Sequence, residues 1–434
     1  MSQSSTRALL GRVAAHPVTF LLAINIACAG LGLVQFGYAL AVLKPSDFAV
    51  IGVLAAIGGV VTGLLDVKLS DLTTRLFFAV PEKERARRAG VLTASLGLHV
   101  AVGITIGALV LVAAALLAPH LLERTPAPWW IGAMALRTAA AYPVNAMTSF
   151  LRLVGAFSTA GWLRLVIQLG VTLVTLGGLW LSPDLGGYFG AAVVAAVVSL
   201  GLTTVTTARG IGTSLGASLV RRPGAVDLAG FRTAGSFLAG GSLTSLSKLL
   251  ARSGDTLLVA ALAGDMTTGL YRVARQAFDN LAGLTDAVHQ FYTPTIVDCV
   301  SRKRWDELAR HRRRLMSIGA GAAVGALLLS WLVLRPLAAA RYPHYVAALP
   351  AFEVLASLLV VMLGVHGWLW PMLVAEGRVT AFGAFGLAGA TLQLVGITAL
   401  SAAGILDATT AALTAWAMAA VNYGPLLVRT LRAA

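Results

Sequence analysis

Charge is scarce in this sequence. Asp, Glu, Lys and Arg make up 12% of its 434 residues, hydrophobic residues make up 58%, and the mean hydropathy is +0.82. A soluble chain of this length needs far more charge to cover its surface, so the composition excludes a water-soluble globular protein and implies a multi-spanning membrane protein. Cysteine is almost absent as well. Cys28 lies in an apolar run and Cys299 beside a basic loop, so a disulfide framework is excluded and two free thiols are expected. There is no Gly-rich loop ending in Lys-Ser or Lys-Thr, which excludes ATP hydrolysis by this chain. The seven histidines are dispersed without metal-ligand spacing, and no serine sits in a nucleophile elbow. The chain is therefore read as no enzyme, with no metal and no cofactor.

The charge that is present is one-sided. The formal net charge is +15, which in a soluble chain would point to nucleic acid. Here the excess reads as topology-setting Lys and Arg, so no nucleic-acid partner is expected. Arg7 and Arg12 followed by an apolar run ending Ala27-Cys28-Ala29 mimic a cleavable signal. The run continues past Tyr38, however, and is long enough to span, while Asn25 stands where a lipoprotein site needs an aliphatic residue.

Apolar stretches of spanning length fall at about 17–42, 47–69, 91–118, 128–150, 157–181, 187–208, 232–263, 267–296, 315–338, 345–374, 380–402 and 406–429. The fold class is thus an all-α polytopic membrane protein of about twelve transmembrane helices. With the N-terminus inside, roughly 23 basic residues fall on inner segments against 4 on outer loops, among them the seven in DCVSRKRWDELARHRRR from Asp298. Both termini are therefore expected in the cytoplasm. The basic loops at 82–88 and 302–314 read as solvated, orientation-setting charge that also touches anionic lipid headgroups.

Two halves are legible. LKPSDFAVIG at 43–52 precedes a span that runs into EKERARR, and LAGDMTTGLY at 262–271 does the same before SRKRWDELARHRRR. The expected domains are a six-helix lobe at 1–208, a cytoplasmic linker at 209–231 and a second six-helix lobe at 232–434, related as parallel repeats.

Intramembrane charge marks the candidate site. On a helix of 3.6 residues per turn, Lys248, Arg252 and Asp255 share one side of the seventh span. In the eighth, Arg272, Asp279 and Asp286 recur every seven residues, with Arg275 on the same face. A charge at the bilayer centre costs on the order of 2.5–3.5 kcal/mol, so neither stripe faces lipid. Two readings stand. Either Arg275–Asp279 and Arg252–Asp255 are ion pairs gluing helices together, or Lys248, Arg252, Arg272 and Arg275 outnumber the acids and line a cavity for an anionic ligand, where guanidinium forks suit phosphate oxygens. Arg137 in the fourth span is a further buried cation of the same kind. Arg164 lies near the cytoplasmic end of the fifth span, positioned to snorkel. Asp255, Asp279, Asp286, Glu353 and His366 are candidates for coupling or ion pairing, Glu353 and His366 as a proton-coupling pair or Glu353 as a lone buried acid with a hydrogen-bond partner. Trp368 and Trp370 before Pro371 read as an interfacial belt or a kinked gate, and Gly321 and Gly325 as a helix-packing stripe.

The stretch from Phe231, FRTAGSFLAGGSLTSLSKLLARSGDTLLVAALAGDMTTGLYRVARQAFDNLAGL, resembles the start of the second lobe in polysaccharide transporters of the multidrug/oligosaccharidyl-lipid/polysaccharide exporter superfamily. Asp255, Gly264, Gly269, Leu270 and Tyr271 stand at that pattern's positions, PSDFAVIG echoes it in the first lobe, and LRLVGAFSTAGWLRLV resembles the family's fourth-to-fifth connection. The resemblance implies two six-helix lobes around a central cavity in a bacterial inner membrane. It also implies a flippase for an undecaprenyl-diphosphate-linked oligosaccharide of O-antigen or exopolysaccharide synthesis. The partners implied are the lipid-linked oligosaccharide, membrane lipids, a polysaccharide polymerase and glycosyltransferases. The sequence departs from the lipid II flippase branch in having about twelve spans rather than fourteen and in lacking an Arg-Asp pair in its first span. The alternatives are a cation-coupled multidrug exporter and a non-transporting component of a polysaccharide synthesis complex.

Overall fold

The computed structural model describes residues 17–65, 69–216, 246–247, 249–376 and 378–433. Every regular element among them is helical and none is a strand. Hydrocarbon imposes this, because a spanning segment must satisfy each backbone N–H and C=O within itself. The first half contains α1 (Pro17–Val42), α2 (Pro45–Leu65), α3 (Leu69–Ala79), α4 (Arg85–Leu121), α5 (Pro128–Leu153), α6 (Phe157–Leu181) and α7 (Leu185–Leu215). The second contains α8 (Asp255–Ser301), α9 (Trp305–Leu329), α10 (Arg335–Arg341), α11 (Leu349–Ser357), α12 (Gly367–Ala375), α13 (Val379–Ala402) and α14 (Ala408–Ala433).

Nine described segments, from Ala23–Val42 to Ala408–Thr430, are long and apolar enough to cross a membrane. The expected span at 128–150 is α5, also 26 residues long but diluted by Arg137, Asn145 and Arg152. The expected span at 232–263 begins among residues outside the described set, as does most of the expected linker. Its end and the eighth span form α8, a 47-residue element broken at Gly264 (φ 75°, ψ 172°). Only glycine enters that backbone region freely, so one residue converts a continuous helix into two spans.

The surface is as apolar as the composition requires. Leu181 is 78% exposed, Leu332 72% and Ile104 66%. Apolar exposure on this scale is stable only against lipid.

The chain divides into two compact units. Unit 1 comprises Met1–Gln35, Leu65–Leu111 and Gly132–Leu238, and unit 2 comprises Phe36–Leu64, Val112–Ile131 and Ala239–Ala434. Unit 1 packs Phe77, Leu92, Phe150 and Ile211 around Ala89 and Ala146. Unit 2 places Tyr271, Phe278, Phe352 and Ile397 among buried alanines such as Ala274, Ala323, Ala351, Ala411 and Ala415. Alanine suits this core because association in lipid depends on close van der Waals contact rather than on expelling water. The expected Gly321 and Gly325 stripe meets no neighbour, whereas Gly319 lies close enough to Gly364 that a Cβ there would sit 2.7 Å from the Gly364 nitrogen. Only position 319 faces a partner helix.

Within unit 2, the two stretches that suggested halves meet. A Cβ at Gly269 would lie 1.8 Å from the Pro45 carbonyl oxygen, so α8 and α2 touch backbone to backbone. Nearby, Tyr345 Oη donates to the Leu43 carbonyl, and Arg124 Nη2 pairs with Asp47 at 3.1 Å. The Glu123 and Asp265 backbone N–H groups each donate to the other's carboxylate at 3.3 Å. Asp265 lies in the turn between spans, and its carboxyl is held above the ordinary value chiefly by burial.

Candidate functional site

Unit 1 builds a polar cavity of about 410 Å³ from α1, α5, α6 and α7. Its charge comes from Arg137 on α5, whose Nη1 donates to Tyr188 Oη at 3.3 Å. No carboxylate pairs with Arg137 among the described residues. The rest of the polar lining is neutral: the amides Gln35, Asn145 and Gln168, with the hydroxyls of Thr175 and Ser199. Gln35 Nε2 donates to Thr175 Oγ1 at 3.3 Å, which fixes the amide across the cavity wall. A guanidinium stays charged in proteins, so among the described residues this cavity carries a positive charge that no carboxylate compensates. In the same unit, Arg164 Nη1 donates to Asn25 Oδ1 at 2.6 Å, again without a carboxylate among the described residues. The uncharged Asn25 thus tethers a cation that sequence position alone left free to snorkel.

Unit 2 holds a second cavity, about 330 Å³, and its charges are balanced among the described residues. Asp255 is fully buried, and its Oδ2 accepts from Tyr271 Oη at 2.6 Å, Arg275 Nη1 at 3.3 Å and Gln393 Nε2 at 3.4 Å. Its Oδ1 accepts from the Thr256 backbone N–H and hydroxyl. Asp279 pairs with Arg252 at 3.1 Å and with Arg275 at 3.7 Å. Two guanidiniums therefore meet two carboxylates, the arrangement that burial demands.

The structure thus favours the ion-pair reading for Arg252 and Arg275, with one partner changed. Arg252 pairs with Asp279 rather than Asp255, and Asp255 takes Arg275. The cause is a π-helical turn at Leu250–Gly254, which widens the helix and shifts Arg252 out of phase with Asp255. Among the described residues, then, neither Arg252 nor Arg275 is a free cation. Arg272 does not line the cavity: its Nη2 donates to Gln276 Oε1 at 2.9 Å and its stem lies on Gly52 of α2. Lys248 lies outside the described residues, as does the side chain of Asp286.

A second π-helical turn, Val360–His366, forms the far end of this cavity. Each widened turn frees a backbone carbonyl, and α8 satisfies both. Arg275 Nη2 donates to the Ala251 carbonyl at 3.3 Å, and His289 Nε2 to the Met362 carbonyl at 3.0 Å. The His366 ring lies 5.3 Å from that of His289, stacks on Trp370 and packs against Phe382 and Tyr423.

Of the two readings for Glu353, its contacts favour the acid held by hydrogen-bond partners over the pair with His366. Glu353 is bound by Arg335 at 3.0 Å and by Ser330 at 2.8 Å, in contacts that involve no histidine. Trp368 is 1% exposed with Arg312 over its ring, so it is no interfacial belt. Both cysteines are free and buried.

Several cavity groups escaped the sequence reading: Tyr188 and Asn145 in unit 1, and Gln393, Asn422 and His289 in unit 2. The signal available was a lone amide within an apolar run, as in ATLQLVG and AAVNYGP. Gln393 Oε1, Asn422 Oδ1 and Arg275 Nε are buried at the unit 2 cavity without a hydrogen-bond partner among the described residues.

No protein-family model matches the chain, and no curated protein sequence matches it. Solved structures do. An inward-facing multidrug resistance MATE family transporter of the MOP superfamily matches with TM-score 0.67 at 15% identity, covering 96% of this chain and 98% of that one. The lipid II flippase MurJ, in an inward closed conformation, matches with TM-score 0.67 at 10% identity, covering 94% and 87%. The Vibrio cholerae MATE transporter VcmN in its bent form matches with TM-score 0.59 at 15% identity, covering 99% and 98%. The chain has the fold of these multi-pass membrane proteins.

Proposed function

We propose that this protein is a flippase that carries a lipid-linked oligosaccharide diphosphate across the bacterial inner membrane by alternating access, for O-antigen or exopolysaccharide synthesis. The observation that carries this reading is Arg137, a cation without a carboxylate partner among the described residues, in a cavity of aliphatic walls whose other polar groups are neutral amides and hydroxyls. A guanidinium fork binds phosphate oxygens in pairs, and neutral amides and hydroxyls exchange hydrogen bonds with sugar hydroxyls. A hydrated polar cavity removes the barrier that hydrocarbon sets against a charged headgroup, while the prenyl chain remains in lipid. The fold shared with MurJ, a lipid II flippase, supports the same class of cargo. Cytoplasmic termini, lobes divided near the middle of the chain, and a polymerase and glycosyltransferases as partners belong to this proposal.

The test is scrambling of a fluorescent undecaprenyl-diphosphate oligosaccharide in liposomes containing the purified protein. Arg137→Gln should slow transfer about tenfold to a hundredfold, the worth of one charge-assisted hydrogen bond. Transfer at the wild-type rate in that variant removes the reading.

A second reading is cation-coupled multidrug export. The observation favouring it is the buried Asp255 and Asp279 beside the aromatic wall of unit 2. Expulsion of a cationic dye by the same liposomes, without lipid scrambling, would establish it instead.

A further inference from the structure

We propose that the unit 2 cavity is a binding site for a neutral sugar residue, a single pyranose ring held between a hydrogen-bonding end and an aromatic end. The inference deepens the flippase reading, on which it rests for its biological use. The binding itself is measurable without transport.

Charge closure comes first. Arg252 and Arg275 are offset by Asp255 and Asp279 within 3.1–3.7 Å. An anion entering here must break the Arg252–Asp279 pair. An organic cation finds Asp255 saturated by Tyr271, Arg275 and Gln393, and Asp279 held by two guanidiniums. A ligand with no net charge disturbs neither pair.

The unmet hydrogen bonds define that ligand further. Gln393 is fully buried and Asn422 is 5% exposed, and both side chains line the cavity. Their oxygens accept from nothing among the described residues. Buried polar groups of this kind call for partners. Two acceptors around one space are answered by hydroxyls, which donate to them while keeping lone pairs of their own. Gly386 packs beside these groups without a side chain of its own: a Cβ there would lie 2.5 Å from Ser247 Oγ and 3.5 Å from Asn422 Oδ1.

Part of the lining is aromatic. Phe382 and Tyr423 border the cavity with ring centroids 5.8 Å apart, and Met362 lines it beside them. A pyranose has a polar rim of hydroxyls and a C–H face, and this cavity offers a surface for each. Its volume of about 330 Å³ lies at the small end of ligand pockets.

The experiment uses the full chain in lipid nanodiscs free of glycosidic detergent. Calorimetric titration covers methyl glucoside, methyl galactoside and methyl N-acetylglucosaminide, with inorganic diphosphate and a rhodamine dye as charged comparators. At least one neutral glycoside should bind, and Asn422→Ala should weaken it about fivefold to tenfold, the worth of one neutral hydrogen bond. Phe382→Leu should weaken it as well. In the variant Ala419→Cys, which places a thiol on the cavity wall, the glycoside should slow alkylation of that thiol, which reads the site even if Asn422→Ala fails to fold. The proposal is overturned if no glycoside binds, if binding is untouched by Asn422→Ala and Phe382→Leu, or if only the dye or the diphosphate protects the introduced thiol. Glycoside binding without lipid scrambling would retire the flippase reading and leave this site standing. Scrambling without glycoside binding would do the reverse.

Discussion

The two cavities are alike in size and unlike in charge. Unit 1 leaves Arg137 without a carboxylate among the described residues, whereas unit 2 sets two arginines against two aspartates. Counting intramembrane charges along the sequence pointed to unit 2 as the cationic site, because four basic residues there outnumbered three acids. Pairing reverses that ordering. The field a ligand feels depends on which charges remain after neighbours have closed on one another, so a lone arginine among amides outweighs a cluster that is internally compensated.

The sharpest way to break the contrast is Asp255→Ala. It leaves Arg275, 8% exposed, without its closest carboxylate, and should cost about 3–5 kcal/mol in stability. Thermal unfolding in nanodiscs measures it, and an unchanged midpoint would mean that unit 2 is not held by charge closure. Next in size is the divergence between two arginines in transport. Arg137→Gln should reduce flipping strongly, while Arg252→Gln, whose side chain is 59% exposed, should change it less than about fivefold. Equal losses would erase the distinction between the units.

Smaller effects fall on two loop carboxylates outside the spans. Asp184 of unit 1 caps α7, accepting from the Gly187 N–H at 3.0 Å and the Ser182 hydroxyl at 2.8 Å. The Gly187 bond first, then the Ser182 bond, hold its carboxyl below the ordinary value. Its stabilisation is therefore present above the usual carboxylate range, about pH 4, and fades as pH falls through the lowered value. Asp184→Ala should cost about 1 kcal/mol at pH 7. Asp265 of unit 2 has the opposite sign: its value is raised by burial, which outweighs the hydrogen bond from the Glu123 N–H, so stability falls as pH climbs from about 4 through the raised value. Asp265→Asn should flatten that slope and leave stability at pH 7 equal or higher. This is the smallest effect, and melting curves across about pH 4–7 read it together with the Asp184 change.

The fold was legible because spanning length and apolar content are enforced residue by residue, and Gly264 declared the turn between two spans. The buried charges were legible as a group, since Asp255, Arg275 and Asp279 cannot face lipid. Their partners were not. A π-helical turn changes the phase by which neighbours are inferred, and nothing in LLARSGD announces one. The partner of Glu353 is Arg335, 18 residues earlier on another helix, which no helical spacing reveals. The amides Gln393 and Asn422 carry no charge, so a search for ionisable groups passes them by. Trp368 shows the same limit from the apolar side: an aromatic near a span end reads as a lipid-interface residue until a helix covers it.

The contact of Gly269 with Pro45 has a consequence for biogenesis. The inward face of α2, including Phe48, Val50, Val53, Leu54 and Ile57, belongs to unit 2. Its docking surface on α8 is translated more than two hundred residues later. The second helix therefore enters the bilayer before its partner exists and waits there, so a nascent chain stalled before residue 269 is a natural substrate for membrane quality control.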